Sequence, residues 1–149
     1  GRARRGDGRH PGRARRAVRR LVLDASVVLK WFTPTDEPGA RQARRLRDEY
    51  QRGRLEVLAP PLLFLELLNV GGRRWGWSEA ALLELSTSLG DLGLSVAEPP
   101  LELVASWVGR GLTAYDASYV ALAEDRALPL ITHDRAILLA APAVAEALV

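Results

Sequence analysis

Short apolar runs, each closed by proline or a polar residue, alternate along this chain with segments of helical length and period, and that alternation restricts the fold more than any other feature. Leu21–Leu23 ends in Asp24, Leu55–Leu58 stops just ahead of a double proline, Leu94–Ala97 stops just ahead of Pro99, and Pro129–Thr132 runs up to His133. Runs this short and this uniformly apolar suit parallel strands covered on both faces. Between them, Glu37–Arg52 is charged and ends ahead of Gly53, Pro61–Trp75 opens with proline near a first-turn position, and Ser78–Leu89 opens with a capping serine. Pro100–Val108 and Ala114–Ala127 are further helical segments, and a last one should start near Asp134. Strands alternating with helices predict an α/β sandwich around a mostly parallel sheet, with ligands bound beyond the carboxyl ends of the strands.

A length of 149 residues with 48% apolar composition predicts one domain with one core. The longest apolar stretches, such as Ala59–Leu68, fall short of the roughly 20 residues a membrane span needs, and Glu66 interrupts that one. A soluble protein is expected, with no membrane partner. The absence of cysteine excludes disulfides, thiolate metal sites and a cysteine nucleophile, and it suits a cytoplasmic location. Charge is unevenly spread. Residues 1–20 hold nine arginines against Asp7 alone, whereas residues 21–149 hold 12 basic and 17 acidic residues, so the basic character belongs to the first segment.

Four acids stand inside apolar surroundings. Asp24 follows LVL, Glu66 interrupts PPLLFLELLNV, Asp116 lies in LTAYDASYVALAE and Asp134 follows LPLITH. Each also has a structural explanation. Asp24 could simply end a strand, Asp134 could cap a helix, and Asp116 could pair with Thr113 in a capping box. Glu66 is harder to explain so, because its helix is apolar on nearly all sides and Asn69, three residues on, shares its face. An unpaired buried carboxylate is costly, and several together repel one another; a divalent cation removes both penalties. Hard cations such as Mg²⁺ and Mn²⁺ take carboxylate oxygens and water, leaving positions free for a substrate phosphate. The four acids together therefore point to phosphodiester chemistry, with no nucleophilic side chain or organic cofactor needed.

VLDASVVLKWF, the ELLN segment Glu66–Asn69, LTAYDASYVALAE and LPLITHDRAIL resemble, in order, the four signature regions of bacterial PIN domains, over residues 18 to about 140. The resemblance implies a three-layer α/β/α fold and Mg²⁺- or Mn²⁺-dependent endoribonuclease activity that leaves 5′-phosphate and 3′-hydroxyl ends. It also implies a toxin of the VapC type, acting beside a cognate antitoxin, and a homodimer. By position, Asp24, Glu66 and Asp116 would bind the metal, with Asp134 binding it directly or through water, while Ser26 and Thr132 match the small hydroxyl positions that support the first and last acids. His133 falls at a variable position and is given no catalytic duty.

Residues 1–20 are expected to be disordered, since they are rich in glycine and like charge and poor in large apolar residues. They would either add salt-sensitive affinity for RNA phosphates or lie outside the native start, since the chain has no methionine and VRRLVLDAS from Val18 suits a GUG start. Trp31, Trp75, Trp77 and Trp107 are read as packing residues before base-stacking ones. Arg41, Arg44, Arg45 and Arg47 are read as a solvated face, while Arg73 or Arg74 could meet RNA phosphates. A catalytically inactive PIN-fold interaction module is the rival from another class, and the presence of all four acids counts against it. A haloacid-dehalogenase-type phosphotransferase would need an aspartate where Ser26 stands, and a nucleotide-triphosphate binder would need a glycine-rich loop with lysine.

Overall fold

The computed structural model describes residues 18–33 and 37–149. These hold five strands, β1 Arg19–Leu23, β2 Leu55–Ala59, β3 Ser95–Val96, β4 Leu130–Thr132 and β5 Ala145–Ala147. They form one sheet in the order β3-β2-β1-β4-β5, and every neighbouring pair is parallel. Seven helices accompany them: α1 Ala25–Val28, α2 Ala40–Gln51, α3 Leu62–Asn69, α4 Glu79–Asp91, α5 Leu101–Gly109, α6 Ala114–Arg126 and α7 Arg135–Ala140. A 3-10 turn, Leu29–Trp31, prolongs α1, and a π-helical turn, Val70–Arg74, prolongs α3.

In β1 the consecutive residues Leu21, Val22 and Leu23 are all buried, as are Val57, Leu58 and Ala59 in β2. Successive strand side chains point to opposite faces, so a run of buried neighbours means that both faces are covered. This is the three-layer α/β arrangement the sequence led us to expect. Its helices close the core with Leu63 and Leu67 of α3, Leu85 and Leu89 of α4, Trp107 of α5, and an almost wholly buried stretch from Tyr119 to Ala123 of α6. The chain winds from β1 to β3 on one side of β1 and then returns to place β4 and β5 on the other. The order thus reverses between β1 and β4, and at such a switch point the loops diverge and leave a crevice at the strands' carboxyl ends.

Several boundaries differ from expectation for local reasons. β1 begins at Arg19, ahead of the boundary drawn at residue 21, and the side chains of Arg19 and Arg20 pair with Glu49 and Glu56 at 2.9 and 3.1 Å. The reading of residues 1–17 as a disordered arm lies outside the described residues. Pro61–Trp75 is not one regular helix: it turns π-helical at Val70, where Gly71 and Gly72 contribute poor helix propensity. The capping serine is as read, Ser78 Oγ accepting from Ala81 N–H at 3.2 Å. α1 and β5 carry no legible signal. β5 is Ala145–Glu146–Ala147, and backbone bonds hold it: Leu130 N–H donates to the Val144 carbonyl and Leu148 N–H to the Thr132 carbonyl, each at 3.0 Å. Among the described residues no helix is long and apolar enough to cross a membrane.

Tryptophans divide by place. Trp31 donates its indole N–H to the Ala43 carbonyl at 2.9 Å, and Trp107 donates to Glu124 at 2.6 Å while Arg110 stacks over its ring at 4.4 Å. Both are core residues. Trp75 and Trp77 lie half-buried with ring centroids 5.4 Å apart. Leu122, fully buried in the middle of α6, gives a direct test of the packing. Leu122→Ala should lower unfolding stability by about 2–5 kcal/mol, read as a shifted midpoint in urea denaturation followed by circular dichroism.

Candidate active site

Asp24 is the first residue after β1 and Asp134 lies two residues after β4, so the sheet itself brings them to the two sides of the switch point. Asp24 is only 4% exposed. Ser26 Oγ donates to its Oδ1 at 2.6 Å, and the buried Thr132 hydroxyl donates to Oδ2 in a short hydrogen bond. Thr132 Oγ1 also accepts from Asp134 N–H at 2.9 Å, and Ser26 Oγ accepts from His133 N–H at 3.2 Å. Two hydroxyls therefore tie the carboxylate on β1 to the loop that leaves β4. Asp134 Oδ1 caps α7, accepting from Ile137 N–H at 3.1 Å, so the structural explanation holds for one of its oxygens. His133 is exposed and enters the network through its backbone alone.

Glu66 comes from α3 and Asp116 from the first turn of α6. Thr113 caps α6 by accepting from Asp116 N–H at 3.1 Å, which orients the helix start and leaves the Asp116 carboxylate half-exposed. One residue here escaped the sequence reading. Tyr119, buried in α6, donates its hydroxyl to Glu66 Oε1 at 3.2 Å. The signal was present in its spacing, three residues after Asp116 and hence on the same helical face.

The acids feel one another. Burial pushes Asp24 up to about 6, against the lowering effect of its two hydroxyl donors, and Asp134 pushes it further. Burial likewise raises Glu66 to about 7, opposed by the Tyr119 hydroxyl and reinforced by the charges of Asp116 and Asp24. Asp116 is raised by burial and then by Asp134. Tyr119 is driven far above the ordinary phenol range by burial and by Glu66 and Asp24, so it stays a neutral donor. Each acid is thus coupled by repulsion to two of the others, so the four lie within electrostatic reach of one another.

A cleft of about 610 Å³ opens beside these acids, lined by Leu62, Leu65, Glu66, Asn69, Thr113, Tyr115 and Asp116. That size lies within the usual range for small-molecule sites, about 300–1,000 Å³. Among the described residues no three His, Asp or Glu side chains stand close enough together to hold a metal ion between them. One oxygen of Asp134 is committed to its helix. The donor set nevertheless fits a hard divalent cation. Every candidate ligand is oxygen, the Asp24 oxygens keep lone pairs beyond those used by Ser26 and Thr132, and Mg²⁺ commonly binds through one or two carboxylates while keeping several waters.

The family model described as "PIN domain" matches residues 21–142. The chain belongs to the PIN-domain family. Among solved structures it is similar to PAE2754 from Pyrobaculum aerophilum, at 27% identity over 88% of this chain and 90% of that one, with a TM-score of 0.61. It is also similar to FitAcB from Neisseria gonorrhoeae, at 18% identity over 84% and 95% with a TM-score of 0.59, and to a toxin-antitoxin complex from Klebsiella pneumoniae, at 17% identity over 79% and 89% with a TM-score of 0.50. Comparison with curated protein sequences finds no match.

The burial of Asp24 makes a signed prediction for stability. Its folded value, about 6, lies above the ordinary 3.8, so the folded state holds the proton more tightly and stability is lost as pH rises between the two. With chelator present, wild type should lose stability relative to Asp24→Asn by on the order of 3 kcal/mol from about pH 4 to pH 7. Urea denaturation of both proteins across that range measures it, and a difference that stays flat or grows in favour of wild type would show the carboxylate to be well compensated without metal.

Proposed function

We propose that this chain is a divalent-metal-dependent endoribonuclease, Mg²⁺ or Mn²⁺ being the working ion, and the toxin of a toxin-antitoxin pair. The observation that carries the reading is the mutual repulsion of Asp24 and Asp134 at the sheet's switch point with Glu66 and Asp116, the last two lining a cleft. Membership of the PIN family supports it, as does likeness in fold to a toxin-antitoxin complex.

Each residue has a task in this reading. Asp24, Glu66 and Asp116 hold the cation, and Asp134 holds it directly or through water. Such an ion activates water for in-line attack at phosphorus and neutralises charge on the leaving 3′ oxygen. Ser26 and Thr132 fix both Asp24 oxygens, so that carboxylate enters the site already oriented. Tyr119 fixes Glu66 through Oε1, so Glu66 would offer its other oxygen to a cation. Asn69, exposed on the same face of α3 as Glu66, offers an amide to the RNA at the cleft wall. Outer hydrogen bonds of this kind set the orientation and basicity of metal-binding carboxylates. The products carry 5′-phosphate and 3′-hydroxyl ends. A cognate antitoxin, a homodimeric assembly and a cytoplasmic site of action belong to the same reading.

Wild-type protein should cleave single-stranded RNA with Mg²⁺ or Mn²⁺ and stop on addition of chelator. Loss of an outer partner typically costs about 10–100-fold in metal affinity, so Tyr119→Phe should weaken Mn²⁺ binding by that order, measured by calorimetry. Asp24→Asn and Asp116→Asn should exceed it and abolish measurable cleavage. Metal binding with no cleavage of any RNA tried would leave the chain a binding module. Expression should inhibit bacterial growth, and Asp116→Ala should relieve the inhibition.

A further inference from the structure

The cleft beside the acids does not end at Asn69. Leu65 and Asn69 also line a second hollow of about 460 Å³, whose other walls are Leu68, Gly72, Arg73, Trp77 and Leu82. Trp77 in turn faces a third, beside Phe32 and Leu85. The shared wall residues set these hollows side by side as a trough of successive depressions along α3, with Glu66 and Asp116 at one end and an indole towards the other.

The π-helical turn builds the trough's far wall. A Cβ on Gly71 would stand 3.2 Å from Leu82 Cδ2 and 3.3 Å from Trp77 Cε3, and one on Gly72 would stand 3.3 Å from Leu82 Cδ1. Two bare glycines thus let α4 and Trp77 close against the turn. Trp75 N–H donates to the Val70 carbonyl at 3.1 Å and Trp77 N–H to the Gly71 carbonyl at 3.0 Å, which folds the chain back across it. The widened turn leaves Arg73 exposed on the trough wall, whereas Arg74, its exposed neighbour, lines neither this hollow nor the cleft. Pi-helical turns inside helices are found disproportionately at functional sites.

We propose that the trough seats an unpaired RNA strand leading away from the scissile phosphate, with the Arg73 guanidinium against a backbone phosphate and the Trp77 indole against the face of a base. The inference rests on the nuclease reading for its substrate. Its occupant follows from continuity and charge. A strand whose phosphodiester lies at the acids must leave along a wall of the cleft, and this wall offers one cation between apolar and aromatic surfaces. That pairing matches a phosphate backbone carrying flat bases. A cation at the acids would meet the scissile phosphate alone, so a positive contact for the strand beyond it has to come from elsewhere, and Arg73 lines the neighbouring hollow. Base-paired RNA buries its base faces and offers nothing to the indole.

The test compares Arg73→Gln with Arg74→Gln, which removes the same charge one residue away. Binding of a dye-labelled mixed-sequence single-stranded RNA is followed by anisotropy over a salt series with Mg²⁺, in a Glu66→Gln background to prevent turnover, and cleavage kinetics are taken in the wild-type background. Arg73→Gln should raise KM by about 3–10-fold and reduce the salt slope by about 0.7, the loss of one single-strand phosphate contact. Arg74→Gln should match wild type in both. RNA should quench tryptophan fluorescence, and Trp77→Phe should remove most of the quenching; a thermal melt of each variant separates this from loss of fold. Equal salt slopes for all three proteins, or equal affinity for a duplex of the same sequence, would overturn the proposal. So would an Arg73→Gln protein that binds RNA normally but changes its sedimentation coefficient, which would make the trough a protein interface. Wild-type protein that cleaves while Arg73→Gln behaves like it defeats this inference alone; wild-type protein that never cleaves defeats the nuclease reading itself.

Discussion

One buried carboxylate organises this molecule. Asp24 sits where a parallel sheet reverses its winding, almost sealed from water, and among the described residues neither lysine nor arginine is hydrogen-bonded to it. Its two oxygens instead accept hydroxyl protons from two different strand ends, Ser26 beyond β1 and Thr132 at the end of β4. The same hydroxyl oxygens accept backbone protons from His133 and Asp134. A charge that the core cannot neutralise has become the fastener between the central strand and its neighbour. Removing either hydroxyl would take a donor from a nearly sealed carboxylate and would loosen the loop that carries Asp134.

That arrangement is a poor one for stability. Hydrogen bonds to the ionised form favour it, yet burial and the neighbouring acids more than offset them, and both Asp24 and Glu66 titrate well above the usual carboxylate range. The folded domain therefore carries stored repulsion that a bound cation would release. Helix capping settles how the repulsion is tolerated. Thr113 and Asp134 each satisfy a helix N-terminus, and the positive end of a helix lies beside Asp116 and Asp134. Asp134 both caps α7 and adds to the charge felt by Asp24 and Asp116, so the two descriptions of that residue do not compete.

Much of this was legible in the chain. Short apolar runs ending in acids marked β1 and β4, because a strand buried on both faces can contain little else, and the acid at its end is the first residue free to be polar. The alternation of such runs with helical periods was enough for the sandwich, and Glu66 stood out because nothing in an apolar helix explains it. β5 was not legible: its alternating alanine and glutamate carry no strand preference, and it exists because β4 presents an unpaired edge. Tyr119 was not singled out because a tyrosine in an apolar helix ordinarily packs through its ring. Only the arrival of Glu66 from a helix 53 residues away gives its hydroxyl a purpose.

The amino-acid sequence by itself determined the class of fold and set the four acids apart from their surroundings, since both depend on local patterns: which positions are apolar, at what period, and where a carboxylate interrupts them. Tertiary structure decided how those acids are held and what lies beside them. It sorted Trp31 and Trp107 into the core and left Trp75 and Trp77 half-open, and it set Arg73 apart from Arg74. Such distinctions depend on which surfaces the other elements cover, and that is a property of the packed chain that no single segment carries.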